Sequence, residues 1–174
     1  MRSIVLSVVV SAAVVSAAVG VVPAHAAEQV IGTSDAQACY EAATFNPTVA
    51  DEASCNAAIK RGKLSRPQLA ATYSNRGIIL ANHGELDKAI EDQNAAIALD
   101  PDSARAHVNR GNVYYRYNRH NEAVADYNQA ITLSHGALAP AYFNRAKSHL
   151  ALGETDAAAQ DFQQAASLAP ETYK

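Results

Sequence analysis

The chain has 174 residues, with 14 Lys and Arg against 17 Asp and Glu, for a net charge of −3. A weakly acidic chain with no basic excess lacks the electrostatic footprint of a nucleic-acid binder. Beyond residue 26 no apolar stretch reaches the about 20 residues that a bilayer-spanning helix needs, so the body of the chain has no membrane span.

Residues 1–26 read as an export signal. Met1-Arg2 carries the early charge, an apolar run follows from Ile4 to Val22, and Pro23 breaks it before Ala24-His25-Ala26. A basic start, an apolar middle and an A-x-A exit form the layout of a cleaved secretory signal. The alternative is a retained anchor, because the run is near spanning length. Cleavage before Ala27 leaves 148 residues, enough for one domain with a core, and a periplasmic or secreted location. No Cys stands directly after the apolar run, which speaks against a lipid anchor.

Residues 27–64 read as a degenerate helical hairpin. Ser34-Asp35-Ala36-Gln37 has capping-box spacing and opens a helix through Cys39 to about Thr44. Asn46-Pro47 is expected to start a second helix that ends near Gly62. In an exported chain the even pair Cys39 and Cys55 reads as a disulfide, with two reduced, buried thiols as the alternative.

From residue 65 onward the chain repeats. Asn75-Arg76-Gly77 returns as Asn109-Arg110-Gly111 and as Asn144-Arg145-Ala146, at offsets of 34 and 35. Other columns keep this register: Gly84, Asn118 and Gly153; Ala89, Ala123 and Ala158; Asp92, Asp126 and Asp161; Ala96, Ala130 and Ala165; Leu99, Leu133 and Leu168. Three units result, at about 67–101, 102–136 and 137–170 within 65–174. The Gly84 column supplies the positive φ of a tight turn, which Gly adopts freely and Asn next best. Asp87, Asn121 and Asp156 then stand at helix starts. Each unit is two antiparallel helices. Gly77 and Gly111 lie mid-helix, where Gly costs about 1 kcal/mol against Ala, so another helix must approach closely there.

The pattern resembles the tetratricopeptide repeat family, through Tyr142, Ala146, Ala158, Phe162, Ala165 and Pro170 in the third unit and Tyr73, Gly77, Ala89, Ala96 and Pro101 in the first. The resemblance covers about Pro67–Pro170. It departs at His107 and His149 in aromatic columns, at Gln93 in place of Phe, and at Arg after Asn where Leu is usual. Asn-Arg-Gly with a later Asp looks like a bacterial variety of the family. The resemblance implies an all-α, right-handed superhelix of stacked hairpins that binds another protein or peptide, without cofactor. In that register Cys39 and Cys55 fall in the Gly77 and Gln93 columns, which face each other across a hairpin.

No Ser/His/Asp set, phosphate loop, CxxC or HExxH motif is present, so the chain reads as a non-enzyme. His83, His107, His120, His135 and His149 have no metal-ligand spacing and read as turn or packed residues. Arg76, Arg110 and Arg145 are expected to pair with Asp92, Asp126 and Asp161 as structural ion pairs, the alternative being ligand-gripping arginines. Asn75, Asn109 and Asn144 form a ladder that reads either as a holder of peptide backbone on the inner face or as inter-helix hydrogen bonds. The family resemblance implies the first, since an inner-face asparagine ladder holds extended peptides in a member of it.

Around the ladder, Ser74, Ile78, Asn82, Arg105, Asn112, Tyr115, Arg116, Phe143 and Lys147 follow helical spacing on one face. Three cations and two aromatics there suit an acidic or carboxylate-terminated segment. The final helix, Asp156–Leu168, is expected to leave an apolar strip open. Self-association of two copies through that strip is the alternative function.

Overall fold

The computed structural model describes residues 34–47 and 52–173, and the expected signal segment 1–26 lies outside them. Among the described residues the elements are eight helices without strands: α1 Ser34–Phe45, α2 Ala53–Arg61, α3 Arg66–Asn82, α4 Leu86–Leu99, α5 Ala104–Arg116, α6 His120–Leu133, α7 Ala139–Leu152 and α8 Thr155–Leu168. They pair in order into four hairpins, and each hairpin packs on the next, giving an all-α solenoid. No helix of the described residues is long and apolar enough to cross a membrane.

The turns follow from local chemistry. Gly84, Asn118 and Gly153 have φ of 82°, 57° and 80°, the left-handed conformation that closes each hairpin. Ser65 and Gln68 begin α3 with the Ser65 N–H donating to Gln68 Oε1 at 2.9 Å. The earlier Ser34-to-Gln37 spacing behaves differently. Ser34 is already helical, and the Gln37 side chain donates forward to Glu41 Oε1 at 2.9 Å. Asn46-Pro47 does not start a helix either. Pro47 drives the residue before it out of the α region, so the pair ends α1, with the Asn46 N–H on Ala42 O, and α2 begins only at Ala53. The acids at the other helix starts do not cap through their side chains. Asp87 accepts the Tyr117 hydroxyl at 2.5 Å instead, and as a first-turn carboxylate it still suits the α4 dipole.

Close approach explains the mid-helix glycines. A Cβ on Gly77 would sit 2.6 Å from Gln93 Nε2, and one on Gly111 would sit 2.6 Å from the Tyr127 ring. The alanine columns are the opposing small surfaces, with Ala89, Ala96, Ala123, Ala130, Ala158 and Ala165 all buried. In the first hairpin the sulfurs of Cys39 and Cys55 are 2.14 Å apart, linking α1 to α2 in a buried cluster with Ala43, Ile78 and Ile79.

Units are joined by polar contacts as well as apolar ones. Gln93 of α4 and Tyr127 of α6 occupy one column. Gln93 accepts from Ser74 Oγ at 3.1 Å, and Ser74 Oγ in turn receives the Asn109 amide at 3.1 Å. One unit further on, the Tyr127 hydroxyl and the Asn144 amide both donate to Asn112 Oδ1, at 2.8 and 2.9 Å. The third residue of the column, Phe162, has no polar tip and packs edge-on against Phe143.

The final helix is finished differently from the expected apolar strip. Ile90 and Ile131, which cluster with residues of the following unit, have Ala159 and Ala166 at their positions in α8. Its exposed residues include Asp156, Gln160, Gln163, Gln164 and Ser167. Among large apolar side chains of α8 only Leu168 is exposed.

Candidate functional site

Two sets of cations stand on the first helices of the units, and their environments are opposite. Arg76, Arg110 and Arg145 are held in place. Each directs Nε and Nη2 at both oxygens of Asp92, Asp126 or Asp161, at 2.6–2.8 Å. The third nitrogen, Nη1, reaches back to Asn56, Asn94 or Asn128 on the preceding unit at 2.5–2.7 Å. The period of 34 between Asn94 and Asn128 is the sequence signal of this column, whose role as the arginines' third partner only the stacking reveals. The guanidinium thus ties three helices: its own, its hairpin partner and the second helix of the unit before.

The electrostatics agree with the geometry. Hydrogen bonding to the aspartates raises the pKa of all three arginines above the ordinary value against the opposing effect of burial. Burial works to raise the Asp126 carboxyl, and the hydrogen bonds from Arg110 and His107 outweigh it, so the group lies below the usual range. His107 Nδ1 is 3.3 Å from Asp126 Oδ1, and His149 contacts Glu154 at 2.5 Å and lies 3.8 Å from Asp161. Among the described residues no group of three or more His, Cys, Asp or Glu could hold a metal ion.

Arg105, Arg116 and Lys147 form the second set. Arg105 and Arg116 are exposed on α5, eleven residues and three turns apart on one face. Lys147 of α7 lies with Nζ 4.9 Å from the Tyr115 ring centroid, so the faces of α5 and α7 meet across that contact. Tyr115 is braced by His120 in an edge contact at 5.1 Å. Leu150, one turn beyond Lys147 and 50% exposed, adds an apolar patch that the sequence reading overlooked.

The equivalent strip of α3 is closed. Ala71, Ser74, Ile78 and Ala81 are buried, and Asn82 is half-buried and donates to Ile78 O. The open surface therefore lies over α5 and α7.

The asparagine ladder does not line it. Asn75, Asn109 and Asn144 are 0, 2 and 5% exposed, and Asn112 is buried as well. The amides of Asn109 and Asn144 serve the bonds to Ser74 and Asn112 described above. The peptide-holding reading of these residues gives way to the inter-helix one, because an amide buried between units is out of a ligand's reach without opening the stack. Phe143 is also not open. It packs edge-on against Phe162 at 5.4 Å and under Tyr173 at 4.7 Å.

Sequence profiles of known families match over most of this region. A TPR repeat profile matches residues 79–117, and two tetratricopeptide repeat profiles match 104–136 and 139–172. Together they span more than half of the chain. The chain belongs to the tetratricopeptide repeat family. That family and fold are typically non-enzymatic modules for protein interaction. No curated protein matches the sequence.

Solved structures match the fold. The second TPR domain of Spaghetti (RPAP3), bound to the HSP90 peptide SRMEEVD, is 31% identical over 59% of this chain and 94% of its own, with a TM-score of 0.56. The first TPR domain of the same protein, bound to the same peptide, is 26% identical over 60% of this chain and 82% of its own, with a TM-score of 0.58. MamA is 21% identical over 80% of this chain and 77% of its own, with a TM-score of 0.65.

Proposed function

We propose that the protein is an exported adaptor that holds an extended, acidic segment of another protein across α5 and α7. One observation carries this reading. Arg105 and Arg116 stand exposed and Lys147 half-buried over Tyr115, in a chain of net negative charge whose Arg76, Arg110 and Arg145 are bound to aspartates. Among the described residues no carboxylate pairs with these three cations, and with Tyr115 under Lys147 and Leu150 exposed nearby they suit a ligand of alternating acidic and apolar residues. The Spaghetti domains support it, since the peptide they hold, SRMEEVD, carries three acids among its last four residues. The A-x-A exit before Ala27 and the bonded Cys39–Cys55 pair support export. Self-association through α8 has less to rest on, because that face is shaved to Ala and Gln.

The test is a titration of the full chain with a labelled SRMEEVD heptapeptide and with its counterpart in which Gln and Asn replace Glu and Asp. The reading predicts saturable binding of the first, weakened by salt, and none of the second. Equal binding of both, or of neither, contradicts it. N-terminal sequencing of the exported protein tests the location, with Ala27 as the expected first residue.

A further inference from the structure

Phe143 is the residue of the expected groove that the chain itself covers. Tyr173, five residues past the end of α8, stacks on it with ring centroids 4.7 Å apart and planes 27° apart. Backbone bonds hold the segment in that path, from the Thr172 and Tyr173 N–H groups to Ala169 O at 3.0 and 3.1 Å. Burial there pushes the Tyr173 phenol up.

The register shows what the tyrosine replaces. In the two units before, the Phe143 position is Ser74 and Val108, each buried against the first helix of the following unit, through Asn109 and Ala141 respectively. Among the described residues no helix follows α8, and Tyr173 covers Phe143 on that side. Lys147 lies one helical turn from Phe143 on the same face, and its ammonium reaches Tyr115. The aromatic stack is therefore continuous with the cationic surface.

We propose that the C-terminal segment Ala169–Tyr173 is a built-in occupant of the end of the groove, and that a partner segment which displaces it brings an aromatic side chain to Phe143. The inference rests on the groove reading above and adds the class of residue the end of that groove accepts. The tail shows the fit directly: a ring stacked on Phe143, carried by a turn that includes one acid, Glu171. A tethered tail competes at an effective concentration on the order of millimolar, so an outside ligand without a ring does not replace it.

The experiment uses the full chain labelled with fluorophenylalanine, whose 3 Phe (Phe45, Phe143 and Phe162) give separate fluorine signals. The probes are the tail hexapeptide APETYK and its analogue APETAK, titrated to millimolar. In Tyr173→Ala protein, APETYK shifts the Phe143 and Phe162 signals saturably and APETAK does not. Wild type and Tyr173→Phe bind APETYK about 2- to 12-fold more weakly than Tyr173→Ala, the ratio expected of one aromatic pair. Equal affinity in wild type and Tyr173→Ala, or no saturable shift in Tyr173→Ala, overturns the proposal. If APETYK binds Tyr173→Ala while the acidic heptapeptide binds neither protein, the groove reading falls and the aromatic site stands. The reverse pair of results keeps the groove and removes the built-in occupant.

Discussion

Arg110 and Asp126 meet through two parallel hydrogen bonds, 2.8 Å from Nε to Oδ2 and 2.7 Å from Nη2 to Oδ1, with the carboxylate 6% and the guanidinium 23% exposed. The pair is mostly desolvated, so removing one partner strands the other. Asp126→Ala is expected to lower stability by about 2–3 kcal/mol. Glu122→Ala breaks the solvent-exposed pair with Arg119 at 2.8 Å and is expected to leave stability nearly unchanged. Urea denaturation of the two variants beside wild type measures this, and equal effects contradict the ladder.

The same carboxylate sets an acid limit. Asp126 has a folded pKa below its ordinary value, held there against burial by Arg110 and His107. A depressed acid contributes stability that is complete above its unfolded pKa, about 4, and is lost as pH falls through the folded value. Wild type should therefore lose stability on acidification below about pH 4 more steeply than Asp126→Asn. Parallel pH–stability curves for the two proteins would sink this attribution.

Gly111 faces the Tyr127 ring, with 2.6 Å left for a Cβ. Gly111→Ala gains helix propensity of about 1 kcal/mol but forces a buried ring and its hydrogen bond to Asn112 to shift, at about 1–3 kcal/mol. Net destabilisation is expected. Tyr127→Phe combined with Gly111→Ala should not rescue it, because the clash involves ring carbons. A Gly111→Ala protein that melts above wild type would show that the helices separate easily.

The Cys39–Cys55 link, 16 residues apart in sequence, staples α1 to α2. Cys39→Ser with Cys55→Ser is expected to cost about 3 kcal/mol, with unfolding beginning in α1 and α2. Hydrogen exchange locates it. Uniform loss of protection along the stack, with no excess in 34–61, contradicts the assignment.

The repeat made most of the fold legible, because a period fixed by helix packing shows in Gly84, Asn118 and Gly153 and in the alanine columns alike. Pro47 is ambiguous in the sequence because a proline signals a helix start and a helix end equally well, and only its effect on Asn46 decides between them. The asparagine ladder was legible as a column but not as a surface. Spacing places Asn109 on one face of α5, while burial depends on Ser74, contributed by a different unit. The Asn94 and Asn128 column was missed for the same reason: its arginine partners lie on the next unit, 16 and 17 residues away. The tail was unreadable in advance, since nothing periodic links Tyr173 to Phe143.

The central claim is that Arg105, Arg116 and Lys147 form an anion-attracting surface over α5 and α7. Stopped-flow association of the labelled acidic heptapeptide with wild type and with the Arg105→Ala, Arg116→Ala, Lys147→Ala triple variant tests it most directly. The account predicts an association rate lowered about tenfold or more in the triple variant at low salt, with wild type converging on it as salt rises. Unchanged association in the triple variant, with an intact helical spectrum, would contradict it.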